Sequence, residues 1–168
     1  MKNKILIVYY SISNGNTKQI AERLQKAIGA DIARIETVIP YSGSYNDIVN
    51  QGQLEVDQGY QPAIKPLSIN PADYDMIAIG TPTWWYTMAP AVLTFLKSCD
   101  WQGKTVIPFQ THGGWPGHVM KDIKSICKGA VLRHKIEVQF DSTGGAELVT
   151  PEKSIEAWIE QVKEEIER

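Results

Sequence analysis

Of 168 residues only two are cysteine, Cys99 and Cys127. They lack metal-ligand spacing and are too few for a disulfide framework, so a reducing compartment is expected. No apolar stretch approaches the length of a membrane span. The apolar run near the start, Ile5 to Tyr10, is short and no small-residue cleavage site follows it. It is therefore not read as a secretory signal, and a cytoplasmic location is expected. No block of Lys and Arg occurs, and the formal net charge is -2. That balance argues against nucleic acid or a membrane surface as a partner. Repeats and low-complexity tracts are lacking as well. With 21% charged and 43% hydrophobic residues, the composition is that of one ordinary globular domain spanning 1–168.

What is there alternates. Ile5 to Tyr10 is continuously apolar and rich in β-branched residues, the mark of a strand buried on both faces. Ile20, Leu24, Ala27 and Ile28 then recur at helical spacing, and Gly29 ends that helix. "DIARIE" (31–36) reads as a second strand, "DMIAIGT" (75–81) as a third, "KTVIPFQT" (104–111) as a fourth and "HKIEVQF" (134–140) as a fifth. Helices are expected after Pro90 (Val92, Phe95, Leu96), around Val119, Ile123, Ile126 and Cys127, and from Ile155 to Ile166. Thr150-Pro151-Glu152-Lys153 supplies the last one's start signal. Such alternation predicts an α/β fold: a doubly wound, five-stranded parallel sheet with helices on both faces, in three α/β/α layers. One stretch departs from it. Residues 40–71 carry Tyr41, Tyr45 and Tyr60 around a weakly helical piece, and read as an insert beginning at the ligand end of the sheet.

In such sheets ligands bind beyond the carboxyl ends of the strands. The loop after the first strand is "SISNGNT", Ser11 to Thr17, and it opens a helix. Hydroxyls at Ser11, Ser13 and Thr17, amides at Asn14 and Asn16, and a permissive Gly15 surround uncapped backbone N–H groups. That is a cradle for phosphate. A plain helix cap is the alternative, although a cap needs only one such residue. No Lys follows as in a Walker loop, so a nucleoside triphosphate is not indicated. After the third strand comes "GTPTWWYTMAP", whose Pro82, Thr83, Trp84, Trp85 and Tyr86 offer flat rings for stacking on a conjugated ligand. Covering of the sheet edge is the competing role for those rings. After the fourth strand, Thr111, His112, Gly113 and Gly114 expose backbone donors and acceptors suited to the edge of a heterocycle, or form a plain turn. Together the three loops fit a phosphorylated planar heterocycle.

These same segments resemble the flavodoxin family, and the resemblance runs in order along nearly the whole chain. "YYSISNGNTKQIA" is similar to the family's phosphate loop, and "GTPTWWYTMAPAVLTFL" to the Gly-x-Pro-x-Trp-Trp segment of one flavodoxin-like branch. The latter also resembles the aromatic loop of flavin-dependent quinone reductases, and "THGGWPG" resembles a Thr-x-Gly-Gly loop of both groups. The resemblance implies flavin mononucleotide (FMN) as cofactor. Its phosphate would go to Ser11, Ser13, Asn14, Gly15, Asn16 and Thr17. Its ring would go to Pro82, Thr83, Trp84, Trp85 and Tyr86, and the ring edge to Thr111, His112, Gly113 and Gly114. Three features depart from the pattern. Asn14 looks inserted before Gly15, so either Ser11 keeps the first hydroxyl role in a longer loop or Asn14 replaces the middle hydroxyl. The charge is nearly balanced where electron carriers look acidic, and acidic patches steer basic partners. The 40–71 segment is the third.

Two functions follow from the resemblance. One is electron transfer through a non-covalently bound flavin, with a redox partner protein or a small-molecule acceptor, by a monomer or homodimer. The other is an NAD(P)H-dependent FMN quinone reductase, in which His112 or His118 supplies a proton. Electron transfer is the favoured reading. A receiver-type regulatory domain is set aside, because Tyr9, Tyr10 and Ser11 stand where its acidic cluster belongs.

Overall fold

The computed structural model describes residues 4–12 and 14–168. Strand β1 (Ile5–Tyr9) leads to helix α1 (Asn16–Ile28), β2 (Asp31–Arg34), α2 (Tyr45–Gln58), β3 (Met76–Trp84) and β4 (Thr87–Met88). Then follow α3 (Pro90–Lys97), β5 (Thr105–His112), α4 (Val119–Ile126), β6 (Val131–Leu132), β7 (Ile136–Gln139) and α5 (Glu152–Glu167). The strand order is β2-β1-β3-β5-β6, with β7 also on β5 and β4 on β3. Every pairing is parallel except the β3–β4 hairpin.

The sheet has seven strands where five are expected from the sequence. The five parallel positions are present. The fifth is broken in two: β6 pairs with Thr105 and Val106, and β7 with Phe109 to His112. Between them His134 has φ 51, a conformation that no strand accommodates. The other additional strand, β4, is a two-residue return on the end of β3.

β1 shows why the sheet lies buried on both sides. Leu6, Val8 and Tyr10 join a core with Ile77, Ile79 and the apolar faces of α3 and α4. Ile5, Ile7 and Tyr9 join the opposite core with Ile20, Ala21 and Leu24 of α1 and Ile155, Trp158 and Val162 of α5. Alternation with period two delivers the residues to the two layers. Each fully buried aliphatic side chain contributes about 1.5–3 kcal/mol. Thr150 does not cap α5: its hydroxyl accepts from the N–H of Gln139 at 2.7 Å, and Pro151 stands at the cap position.

Helix α2 is held differently. It starts in a reciprocal cap between Ser44 and Asp47, and its only buried residues are Gly52 and Glu55. Gly52 lies against the Trp84 indole, where a Cβ would stand 3.1 Å from Cε3. Glu55 accepts from the Tyr41 hydroxyl at 2.6 Å and from Gln51 Nε2 at 2.8 Å. Burial, and then this bond to Glu55, push the Tyr41 phenol far above its ordinary pKa. The 40–71 segment therefore packs inward through Tyr41, while Tyr45 and Tyr60 stay exposed. Among the described residues no helix is long and apolar enough to cross a membrane.

The centre of the sheet has no slack. Gly80 on β3 faces the Phe109 ring, and a Cβ there would stand 2.3 Å from two ring atoms. Phe109 is fully buried and backed by Trp158 at 5.5 Å. Gly80→Ala is expected to cost at least about 1–3 kcal/mol in urea unfolding, the usual range for overpacking. A loss below about 0.5 kcal/mol would mean that the ring can step aside.

Candidate functional site

The carboxyl ends of β1, β3, β5 and β7 open on one cavity of about 330 Å³. Asn14, Asn16 and Thr17 line it from the loop after β1, and Pro82, Thr83, Trp84 and Trp85 from the end of β3. Thr111, His112 and Gly113 line it from β5. The three loops singled out in the sequence thus converge. Ser11 and Gly15 line an adjoining surface with Lys18 and Arg34, which Asn14 shares. Tyr86 faces a side groove with Thr83, Trp85, His112, Gly113 and Trp115. Gly114 lies next to the cavity rather than in its lining, and Ser13 lies outside the described residues.

Gly15 is the N-cap of α1, in the left-handed conformation (φ 73), with no side-chain cap bond. The first N–H groups of a helix have no partner within the helix. Ser11 Oγ takes one of them, the N–H of Lys18, at 3.2 Å, and its own proton stays free to donate. Neither Asn caps. The Asn14 amide donates to Gly144 O, and Asn16 Nδ2 donates to Gly145 O at 3.1 Å. Asn16 Oδ1 is buried and has no hydrogen-bond partner. Thr17 and Thr111, from different loops, share a hydroxyl–hydroxyl bond of 2.8 Å.

The two tryptophans part company. Trp84 packs edge-on against Tyr41 (5.1 Å) and Tyr10 (6.0 Å), with Gly52 of α2 on it. Burial pushes the Tyr10 phenol up to about 12. Trp85 stays 39% exposed, and its indole N–H donates to Val49 O of α2 at 3.0 Å. Trp85 and Tyr86 both have positive φ, 49 and 71, as in the two-residue turn of a type I′ hairpin. Non-glycine residues held so cost of order 1–3 kcal/mol each. The surroundings offset this. His118 N donates to Tyr86 O at 2.7 Å, Thr83 Oγ1 to Thr111 O at 2.9 Å, and Gln110 Nε2 to Thr83 Oγ1 at 3.0 Å. Gly117, at φ 59, leaves room for Tyr86 O where a Cβ would stand 2.1 Å away.

The cavity also has walls that the loop motifs did not indicate. Tyr45, Ile48, Val49 and Gly52 come from α2, and Phe140, Asp141, Ser142 and Gly144 follow β7. Of these, only Tyr45 had a sequence signal, as one of the tyrosines of the 40–71 segment. Trp115, 61% exposed, stands in the loop after β5, where a third ring was there to be read.

This is a doubly wound α/β protein with a cavity at the switch edge of its sheet, where such folds bind ligands. The flavodoxin sequence pattern matches residues 4–162, and the chain belongs to the flavodoxin family. Over 106 residues it is 24% identical to Flavodoxin 1 of Escherichia coli K12, covering 61% of this chain and 46% of that protein. The chain thus spans about half the length of the curated relatives it matches. Among solved structures, a flavoprotein assigned in Bacteroides eggerthii has a TM-score of 0.76 at 29% identity, covering 95% of this chain and 98% of its own. A Lactobacillus acidophilus flavoprotein in complex with FMN has a TM-score of 0.68 at 25% identity, covering 80% and 92%.

The two histidines raised by the sequence differ. His118 Nδ1 sits on the Asp122 carboxylate, which also takes the Thr87 hydroxyl, and His118 is not among the cavity's lining residues. His112 lines the cavity, and its Nδ1 accepts from the N–H of Gly114 at 2.9 Å. Burial lowers its pKa below the ordinary imidazole value, and Glu137 partly opposes this. The neutral form is the one the fold prefers. The stability it contributes is present above the ordinary imidazole pKa and is lost as pH falls through the depressed one. An NMR titration is expected to place the His112 midpoint below that of a free imidazole, and Glu137→Gln is expected to lower it further. A midpoint at or above the free value would contradict the geometry.

Proposed function

We propose that the chain is a redox protein that holds FMN non-covalently in this cavity and passes electrons through it. The observation that carries the reading is the meeting of an uncapped helix end, an aromatic hairpin and the 111–113 loop on one cavity. The donor set fits the group. Asn16 Oδ1 is a buried acceptor that the protein leaves without a partner, and a ligand hydroxyl supplies one. Membership of the flavodoxin family, and likeness to a flavoprotein in complex with FMN, support the same cofactor.

Ser11, Gly15, Asn16 and Thr17 would receive the phosphate and its sugar-alcohol chain, with Lys18 and Arg34 adding positive charge nearby. Trp85, half exposed and fixed by its bond to Val49, would cover the ring, and Trp84 would support it from the core. His112, neutral with Nδ1 occupied, would present Nε2–H as a donor at the ring edge. When bound, FMN supplies the one- and two-electron chemistry. The protein contributes orientation, a dry face and a fixed polarity.

Apoprotein titrated with FMN is expected to quench flavin fluorescence at saturation, and riboflavin is expected to bind much more weakly. Equal affinity for the two would remove the phosphate role from the 11–17 loop. Trp85→Ala is expected to lose about 1–3 kcal/mol of FMN affinity and to restore part of the fluorescence. Trp84→Ala is expected instead to lower the urea midpoint of the apoprotein, because it empties a packed position among Tyr10, Tyr41 and Gly52. Reduction of the bound flavin by NADH or NADPH without a partner protein would favour a reductase over a carrier.

A further inference from the structure

One wall of the cavity touches three others. The turn from Asp141 to Glu147 receives the Asn14 and Asn16 amides on the carbonyls of Gly144 and Gly145. Gly113 packs against the backbone of the same turn, and a Cβ there would stand 3.3 Å from Asp141 O and 3.4 Å from Ser142 Cα. Tyr45, at the start of α2, reaches it too: its Oη would lie 3.4 Å from a Cβ on Gly144. The phosphate loop, the 111–114 loop and α2 all lean on this turn.

The turn itself reads Ser-Thr-Gly-Gly-Ala and has no side chain large enough to anchor it in a core. One carboxylate organises it. Asp141 Oδ1 accepts from Thr143 N at 3.1 Å, from Gly145 N at 2.9 Å and from the Thr143 hydroxyl. Asp141 Oδ2 accepts from Glu147 N at 3.1 Å. The backbone closes the same ring, with Asp141 N donating to Glu147 O at 2.8 Å. Gly145 makes room, since a Cβ there would stand 2.4 Å from Asp141 Oδ2. These bonds hold the Asp141 carboxyl below its ordinary pKa, so the charge persists near neutral pH. A fixed negative charge on the wall of a site for a phosphorylated ligand is unfavourable by itself. Its placement makes sense through the turn, on which its lone pairs are spent.

We infer that Asp141 is a positioning residue for the cofactor: through the 141–147 turn it sets Asn14 and Asn16, and with them the phosphate loop, against the 111–114 loop. The inference rests on the FMN reading of the cavity. It predicts an asymmetry, because the brace acts first on the phosphate end. It also predicts coupling between Asn14 and Asp141, which are joined through Gly144.

The test is a set of FMN and riboflavin titrations on the apoprotein, its Asp141→Ala, Asp141→Asn and Asn14→Ala variants, and the Asn14/Asp141 double variant. Asp141→Ala is expected to weaken FMN at least about tenfold, the scale of lost hydrogen bonds to a charged group. Riboflavin, lacking the phosphate, is expected to change by less than about threefold on the same scale. Asp141→Asn, with Oδ1 retained, keeps three of the four bonds and is expected to fall between. Asn14→Ala is expected to weaken FMN on its own but to add little to Asp141→Ala. In the apoprotein, Asp141→Ala is expected to speed amide exchange at Thr143, Gly145 and Glu147 without moving the urea midpoint, because the turn is exposed. Asn14 is exposed as well, so its variant tests the brace even if Asp141→Ala does not fold. Equal FMN affinity in the parent and both alanine variants overturns the inference while leaving FMN binding intact. Equal losses for FMN and riboflavin also overturn it. A parent that does not bind FMN sinks the cofactor reading, and this inference with it.

Discussion

The register of β3 between β1 and β5 fixes what stands above the sheet. Tyr9 pairs with Gly80, Gly80 with Phe109, and Pro82 with Thr111. Because these pairings are parallel, the ends of β1, β3 and β5 leave the sheet on the same side, and β3 and β5 run on past the end of β1. The recess beyond Tyr9, flanked by the extended ends of β3 and β5, is where the cavity forms. The register is set in turn by burial on both faces: slipping β3 by one residue would send Ile77 and Ile79 to the layer of α1 and α5. Gly80 marks the point of least tolerance. Its missing side chain admits the Phe109 ring, and that ring connects the sheet to Trp158 of α5. A core contact on the far side of the sheet thus determines how the loops on its edge can stand.

The hairpin at the end of β3 turns this position into a surface. Trp84 is the last residue of β3 and Trp85 the first residue of the turn that follows, so the alternation of the strand stops between them. Trp84 packs against Tyr10 and Tyr41 while still lining the cavity, and Trp85 lines the cavity from a more exposed position. The turn from Trp84 to Thr87 uses two bulky residues, Trp85 and Tyr86, at positive φ, where Asn-Gly would be easy. An unfavourable turn kept in place by Val49, Gln110, Gly117 and His118 is strain at the cavity's edge, held there by its surroundings. The Trp85–Val49 bond ties α2 to the hairpin, and so a helix with two buried residues nevertheless walls the cavity.

Much of this was legible in the sequence. The alternation of buried runs with helical stripes determined the layers, and the three loop compositions pointed to the edge where the cavity lies. The misses have local causes. "DMIAIGT" ends too early, because Pro82 looks like a break; β3 continues through it to Trp84, in register with Thr111. The broken fifth strand turns on the conformation of His134, and nothing in "RHK" announces a positive φ. The different surroundings of Trp84 and Trp85 depend on where β3 ends and the turn begins, and composition alone does not say. The least legible part is the 141–147 turn. Asn14 and Asn16 meet it 130 and 129 residues further along the chain. A polar loop gives no sign of a partner that distant.

That distant partner also gives the two asparagines of the 11–17 loop a structural role. A Ser or Asn at the N-cap of α1 would bind the helix's first N–H groups itself, leaving fewer for an anion. Gly15 at the cap offers no side chain, and among the described residues Ser11 Oγ takes the N–H of Lys18. The loop then needs rigidity from elsewhere, since a flexible cradle pays for ordering when the ligand binds. Asn14 and Asn16 supply it by turning away from the helix to the carbonyls of Gly144 and Gly145. Ser11, with its hydroxyl on the N–H of Lys18 and its carbonyl accepting from Arg34 Nη2 at 2.9 Å, fixes the other end of the loop. Support thus comes from Asn14 and Asn16, which reach out to the 141–147 turn, and from Ser11, which reaches back to the helix start. A loop braced in this way holds its shape while committing the Lys18 N–H to the Ser11 hydroxyl.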